Sequence, residues 1–115
     1  MPLGPLDDLL AHQTPDTFDH VGTSDRNFYD RYYFNCHPCS DELFLITGMG
    51  QYPNLGTTDV FVAVSTGHMH YVVRASRELG VDRLDTTIGP FGVEVLEGLR
   101  SLRVWLEPSE HDVSF

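Results

Sequence analysis

The chain has 115 residues, and its cations are seven arginines with no lysine, so the formal charge is −10. That length fits one domain able to bury roughly two thirds of the surface it exposes when unfolded, and a negative surface argues against nucleic acid and anionic membranes as partners. No apolar run approaches the ~20 residues of a membrane helix, and the acidic start MPLGPLDDLL lacks the basic region of a secretory leader, so no membrane insertion and a cytoplasmic location are expected.

Residues 1–27 read as a helix and a loop. Pro5 suits a first helical position, Asp7 and Asp8 favour a positive helix start, and Leu6, Leu9 and Leu10 share a face, which predicts a short helix over 5–12. A polar, turn-rich stretch follows. From Phe28 the period becomes two. FYDRYYFN places Phe28, Asp30, Tyr32 and Phe34 on one face and Tyr29, Arg31, Tyr33 and Asn35 on the other. ELFLIT (42–47) reads as a buried strand, and TDVFVAVST (58–66) is rich in β-branched residues. Gly67 turns the chain into HMHYVVRAS (68–76). RLDTTIG and FGVEVLE flank a Gly89-Pro90 turn, LRSLRVWLEP (99–108) is another strand, and HDVSF begins one more. Residues 28–115 are thus expected to form an antiparallel meander of about seven or eight strands, a barrel or a sandwich, with a barrel or half-barrel the preferred form. The alternation is still running at Phe115, so the domain reads as truncated at its C-terminus. The sheet edge left behind would pair with a second copy or with a missing C-terminal half.

Both cysteines fall in Cys36-His37-Pro38-Cys39. A redox pair needs its first cysteine at a helix start, and here strands flank the motif. A structural zinc needs four ligands, and Cys36, Cys39 and His37 would need His20, His68 or His70 to complete the set. A hairpin turn with incidental cysteines is the preferred reading, with no metal or cofactor expected. His68 and His70 would share a strand face, but no third ligand is visible. The segment GMGQYPNLG (48–56) reads as a loop able to rim a cavity, although it lacks the ending of a phosphate loop.

The candidate acids are Asp30, Asp59, Asp85, Glu94 and Glu97. Asp30 sits on an otherwise aromatic strand face. If that face is inward, its carboxyl is suited to proton donation, unless an arginine such as Arg31 or Arg74 pairs with it. Asp59 is the second candidate acid. Arg31, Tyr32, Tyr33, Tyr52, Asn54, Arg74 and Trp105 are the candidate ligand-binding residues, and the aromatic ones could equally be plain core.

SDRNFYDRYYFN, ITGMGQYPNLGTTDVF, VRASRELG, IGPFGVEVLEGLRSLRVWLEP and EHDVSF resemble the N-terminal part of an uncharacterised actinobacterial family of longer chains. That family is distantly similar to the lipocalin-like superfamily that includes carotenoid hydratases (hydroxyneurosporene synthases). The resemblance implies a lipocalin-like antiparallel fold with an apolar cavity. It also implies chemistry in which an acid protonates an alkene while aromatic rings stabilise positive charge. In that family the stretch matching CHPCSDE generally lacks a C-x-x-C pair. The leading expectation is therefore a domain that binds an apolar small molecule (a lipid, isoprenoid, steroid or polyketide) and supports acid-catalysed hydration, isomerisation or cyclisation. A non-catalytic binding or interaction module is the alternative, and a C-x-x-C zinc or redox protein is the lesser one.

Overall fold

The computed structural model describes residues 2–7, 17, 19–110 and 112–115. The chain is all-β and antiparallel, in two sheets that do not close into a barrel. The first sheet is a meander of β1 (Asp30–Cys36), β2 (Phe44–Tyr52), β3 (Thr57–Ser65) and β4 (His70–Glu78). The second comprises β5 (Thr87–Ile88), β6 (Phe91–Glu97) and β7 (Ser101–Leu106).

Strand pairing aligns each period-two pattern with the next, so the first sheet has one apolar face. Tyr32, Met49, Val60 and Ala75 form one rung across it, and Phe34, Thr47, Val62 and Val73 form the next. This face packs against Ile88, Phe91, Val93 and Leu106 of the second sheet to make the core. With edges left open on both sheets, this apolar layer is what holds them together. Among the described residues, no helix is long and apolar enough to cross a membrane.

Three sequence expectations change. Residues Pro5–Asp7 form a single 3-10 turn, and the rest of the expected helix over 5–12 lies outside the described residues. Gly48 to Tyr52, expected in a loop, belong to β2, and only residues 53–56 turn. Their glycines serve close packing instead of turning. A side-chain carbon on Gly48 would sit 2.5 Å from the Phe61 ring, and one on Gly50 would sit 2.9 Å from the Tyr52 ring. Finally, β4 begins at His70, so His68 lies in the hairpin loop, closed by the Thr66 N–H donating to the Met69 carbonyl at 3.0 Å. The two histidines therefore do not share a strand face.

The Gly89-Pro90 turn forms where expected. Ile88 pairs with Phe91 across it, and Gly89 takes a φ of +54°, a conformation that favours glycine in tight hairpins. Beyond β7, Leu106 and Phe115 exchange both backbone hydrogen bonds, at 2.8 and 2.9 Å. Phe115 thus pairs with the end of β7, but residues 112–115, where HDVSF was expected to begin a strand, form none; His111 lies outside the described residues.

Candidate functional site

The pleat of β1 divides the candidate residues. Asp30 and Tyr32 face the core, whereas Arg31 and Tyr33 face out. On the outer face, Arg31 and Asp59 lie on either side of Gly50 in one rung, and Tyr33 and Phe61 lie on either side of Gly48 in the next, with Arg74 beyond. The Arg31 guanidinium sits 4.7 Å from the centre of the Tyr29 ring, which in turn packs against Tyr52 at 6.1 Å. Arg31, Tyr33, Tyr52, Asp59 and Arg74 are therefore brought to one exposed surface. It includes a shallow depression of about 460 Å³ bordered by Asp59, Phe61, Arg74 and Ser76.

Asp59 titrates above the ordinary carboxylate value of 3.8. Loss of hydration raises it, and the Arg31 charge and a backbone hydrogen bond at Gly50 only partly oppose this. The folded state thus holds its proton to higher pH than the unfolded state does. Its contribution to stability falls as pH rises from about 3.8 through the raised folded value, and the ionised form is a net cost at neutral pH. Asp59→Asn is expected to raise folding stability at neutral pH by less than about 0.5 kcal/mol for so exposed a group, read as a slightly higher melting temperature. The gain should vanish in acid below the unfolded pKa. A variant less stable than the parent at neutral pH would show that the Arg31 attraction prevails.

Asp30 does not meet either arginine expected from the sequence. Arg31 is turned away by the pleat, and Arg74 lies on the outer face. Its carboxylate is fully buried and pairs with the Arg83 guanidinium, itself 8% exposed. Arg83 also donates through Nε to Gln51 Oε1 at 2.5 Å, and the Gln51 amide donates to the Arg83 carbonyl at 2.9 Å. Thr58, the next residue of this polar rung, donates its hydroxyl to the Gly50 carbonyl at 2.7 Å. The cluster anchors the connection between β4 and β5 onto the first sheet. Arg77 anchors the same connection from β4, donating to the carbonyls of Asp85 and Thr87 at 2.7 Å each.

That anchored connection forms one wall of a cleft of about 470 Å³. Leu84, Asp85, Thr86 and Thr87 line this wall, Pro5 closes one side, and Tyr32, Val93, Val95 and Trp105 supply the apolar surface. The cleft lies along the edge of β6 that β5 leaves uncovered after two residues; the Thr86 hydroxyl donates to the Val93 carbonyl at its margin. Trp105 reaches the cleft because Gly92 faces it across the strands. A side-chain carbon on Gly92 would collide with the indole ring. Two of the expected ligand-binding residues, Tyr32 and Trp105, therefore meet here although they belong to different sheets. Asp85 stays ionised to lower pH than an ordinary aspartate. The Thr87 hydroxyl is the main cause, and the Thr87 N–H and Arg77 add to it against a smaller opposing effect of burial.

Asn54 has a local task. Its amide donates to the carbonyls of Thr23 and Asp25 at 2.8 and 2.7 Å, pinning the N-terminal loop to the β2–β3 turn. Cys36 and Cys39 are exposed free thiols. Cys39 N–H donates to His37 Nδ1 at 3.2 Å, and the His37 ring stacks on Phe44. Among the described residues, no three of His, Cys, Asp and Glu converge as a metal site would require. Sequence reasoning singled out Asp85 as a candidate acid but missed Arg83, Gln51 and the other residues of the 84–87 wall. An arginine in a polar connecting segment carries no periodic signal, and only the crossing between sheets brings it to Asp30.

Residues 3–115 match the model of a Family of unknown function (DUF8625). No curated protein and no solved structure matches the chain.

Proposed function

Because the chain belongs to the DUF8625 family, we propose its function from the site itself: it is a binding domain for an apolar small molecule, held in the cleft between Tyr32 and Trp105. The observation that carries this reading is the cleft, whose roughly 470 Å³ suits a small ligand and whose walls are mostly apolar with a few convergent polar groups. The resemblance to lipocalin-like proteins supports the same ligand class. Non-catalytic binding is favoured over acid catalysis by two features. Asp30 is buried in an ion pair and does not line the cleft, and Asp85, which does line it, is kept in the ionised form. Two exposed free thiols suit a reducing compartment, which supports the cytoplasm as its location.

Trp105 is the only tryptophan of the chain and reports on the cleft directly. The neutral probe N-phenyl-1-naphthylamine is expected to bind saturably with one site per chain and to quench Trp105 emission. Val95→Phe, which fills the cleft, should weaken binding by about tenfold or more. Absence of saturable binding, or binding unchanged in Val95→Phe, overturns the proposal.

A further inference from the structure

We propose that the ligand of this cleft is cationic: an ammonium group carried on an apolar body. This rests on the reading of the cleft as a binding site and adds a charge class to it. Among the described residues, the charged side chains lining the cleft are Asp85 and Glu94, and no Arg, Lys or His lines it. Each of these carboxylates has an arginine beside it. Arg77 lies 3.6 Å from the Asp85 carboxylate while its guanidinium serves the carbonyls of Glu78, Asp85 and Thr87. Arg103 meets Glu94 at 3.2 Å in an exposed pair that solvent screens.

Trp105 and Tyr32 line the apolar part of the cleft; Tyr32 is 5% exposed and stacked on Phe34, so Trp105 is the ring that can meet a cation, and tryptophan is the strongest of the aromatic residues in this respect. The Thr87 hydroxyl and Arg77 hold Asp85 ionised at neutral pH, so at least one carboxylate keeps its charge there. A net charge of −10 adds an overall field that draws cations and repels anions. A carboxylate-headed lipid would have to bring its charge beside Asp85 and Glu94, with no cationic side chain among the described residues lining the site to receive it. An ammonium head meets carboxylates and a ring face together.

The test is competition against bound N-phenyl-1-naphthylamine by three ten-carbon probes that differ in charge: decyltrimethylammonium, decanol and decanoate. Decyltrimethylammonium is expected to displace the dye at a concentration about tenfold or more below that of decanoate, and below that of decanol. Its advantage over decanol should shrink in high salt and in Asp85→Asn/Glu94→Gln. Glu94→Gln alone, at an exposed position, serves if the double variant does not fold. Decanoate binding as well as the ammonium, or an undiminished ammonium preference in the variants, overturns the charge assignment. So does failure of all three probes to displace a dye that binds, and in each of these cases the binding reading stands. A dye that never binds removes the reading and the charge assignment together.

Discussion

Asp30→Ala is expected to cost about 3–5 kcal/mol of folding stability, read as a lower urea midpoint with an unchanged slope. The carboxylate is fully buried and its partner Arg83 nearly so, and the substitution would take the Asp30 charge away from a buried guanidinium. Against a typical total of about 5–15 kcal/mol for a domain, that loss brings the chain close to unfolding at physiological temperature. Asp30→Ala/Arg83→Met should recover much of it, because removing both charges removes the desolvation penalty as well as the attraction. A double variant as unstable as the single one would mean that the Gln51 and backbone bonds of the cluster, and not the charge pair, hold the β4–β5 connection. The same pair of variants separates structure from catalysis. If Asp30 were a proton donor, a stable double variant would still lose its chemistry. If it is an anchor, the refolded double variant keeps its cleft and its dye binding.

Phe91→Ala should cost a similar amount, about 3–5 kcal/mol. Phe91 is 1% exposed, pairs with Ile88 across the two-residue Gly89-Pro90 turn and with Leu106 on its other side, and lies in the apolar layer between the sheets. The cavity left by the ring cannot be refilled from one sheet without moving the other. Phe91→Leu should cost less than about 1.5 kcal/mol, since most of the volume remains. Because the two sheets share this single layer, unfolding should stay one cooperative transition by both Trp105 fluorescence and circular dichroism. Two separated transitions would show that the sheets are independent units.

Much of the fold is legible in the residues. The alternation over residues 28–35 marks β1, and the β-branched run over residues 58–66 marks β3, each to within two residues of the observed strand ends. Gly89-Pro90 marks its hairpin because few residue pairs suit so tight a turn. The glycines of β2 mislead for a physical reason. Glycine is a turn residue by conformation, but at positions 48 and 50 it is present because the rings of Phe61 and Tyr52 occupy the space of a side chain. That reason lies on the neighbouring strand for Gly48 and further along β2 for Gly50. The HMH motif misleads similarly. Alternation puts His68 and His70 on one face only if both belong to the strand, and β4 starts two residues too late for that.

The candidate site divides along the same line. Composition and period-two patterning are local properties, so the sequence by itself determined an acidic antiparallel β domain, its strands, and the opposite orientations of Asp30 and Arg31 on β1. It could not say which arginine Asp30 meets, because Arg83 is 53 residues away and reaches it only through a connection that crosses from one sheet to the other. Nor could it say that Tyr32 and Trp105 share a cleft while Tyr33, Tyr52 and Asp59 lie on the opposite side of the first sheet. Those facts depend on strand register and on how two open sheets stack, and a one-residue slip in register would exchange every facing residue. The tertiary structure alone decided them, because burial of one continuous apolar layer admits a single register.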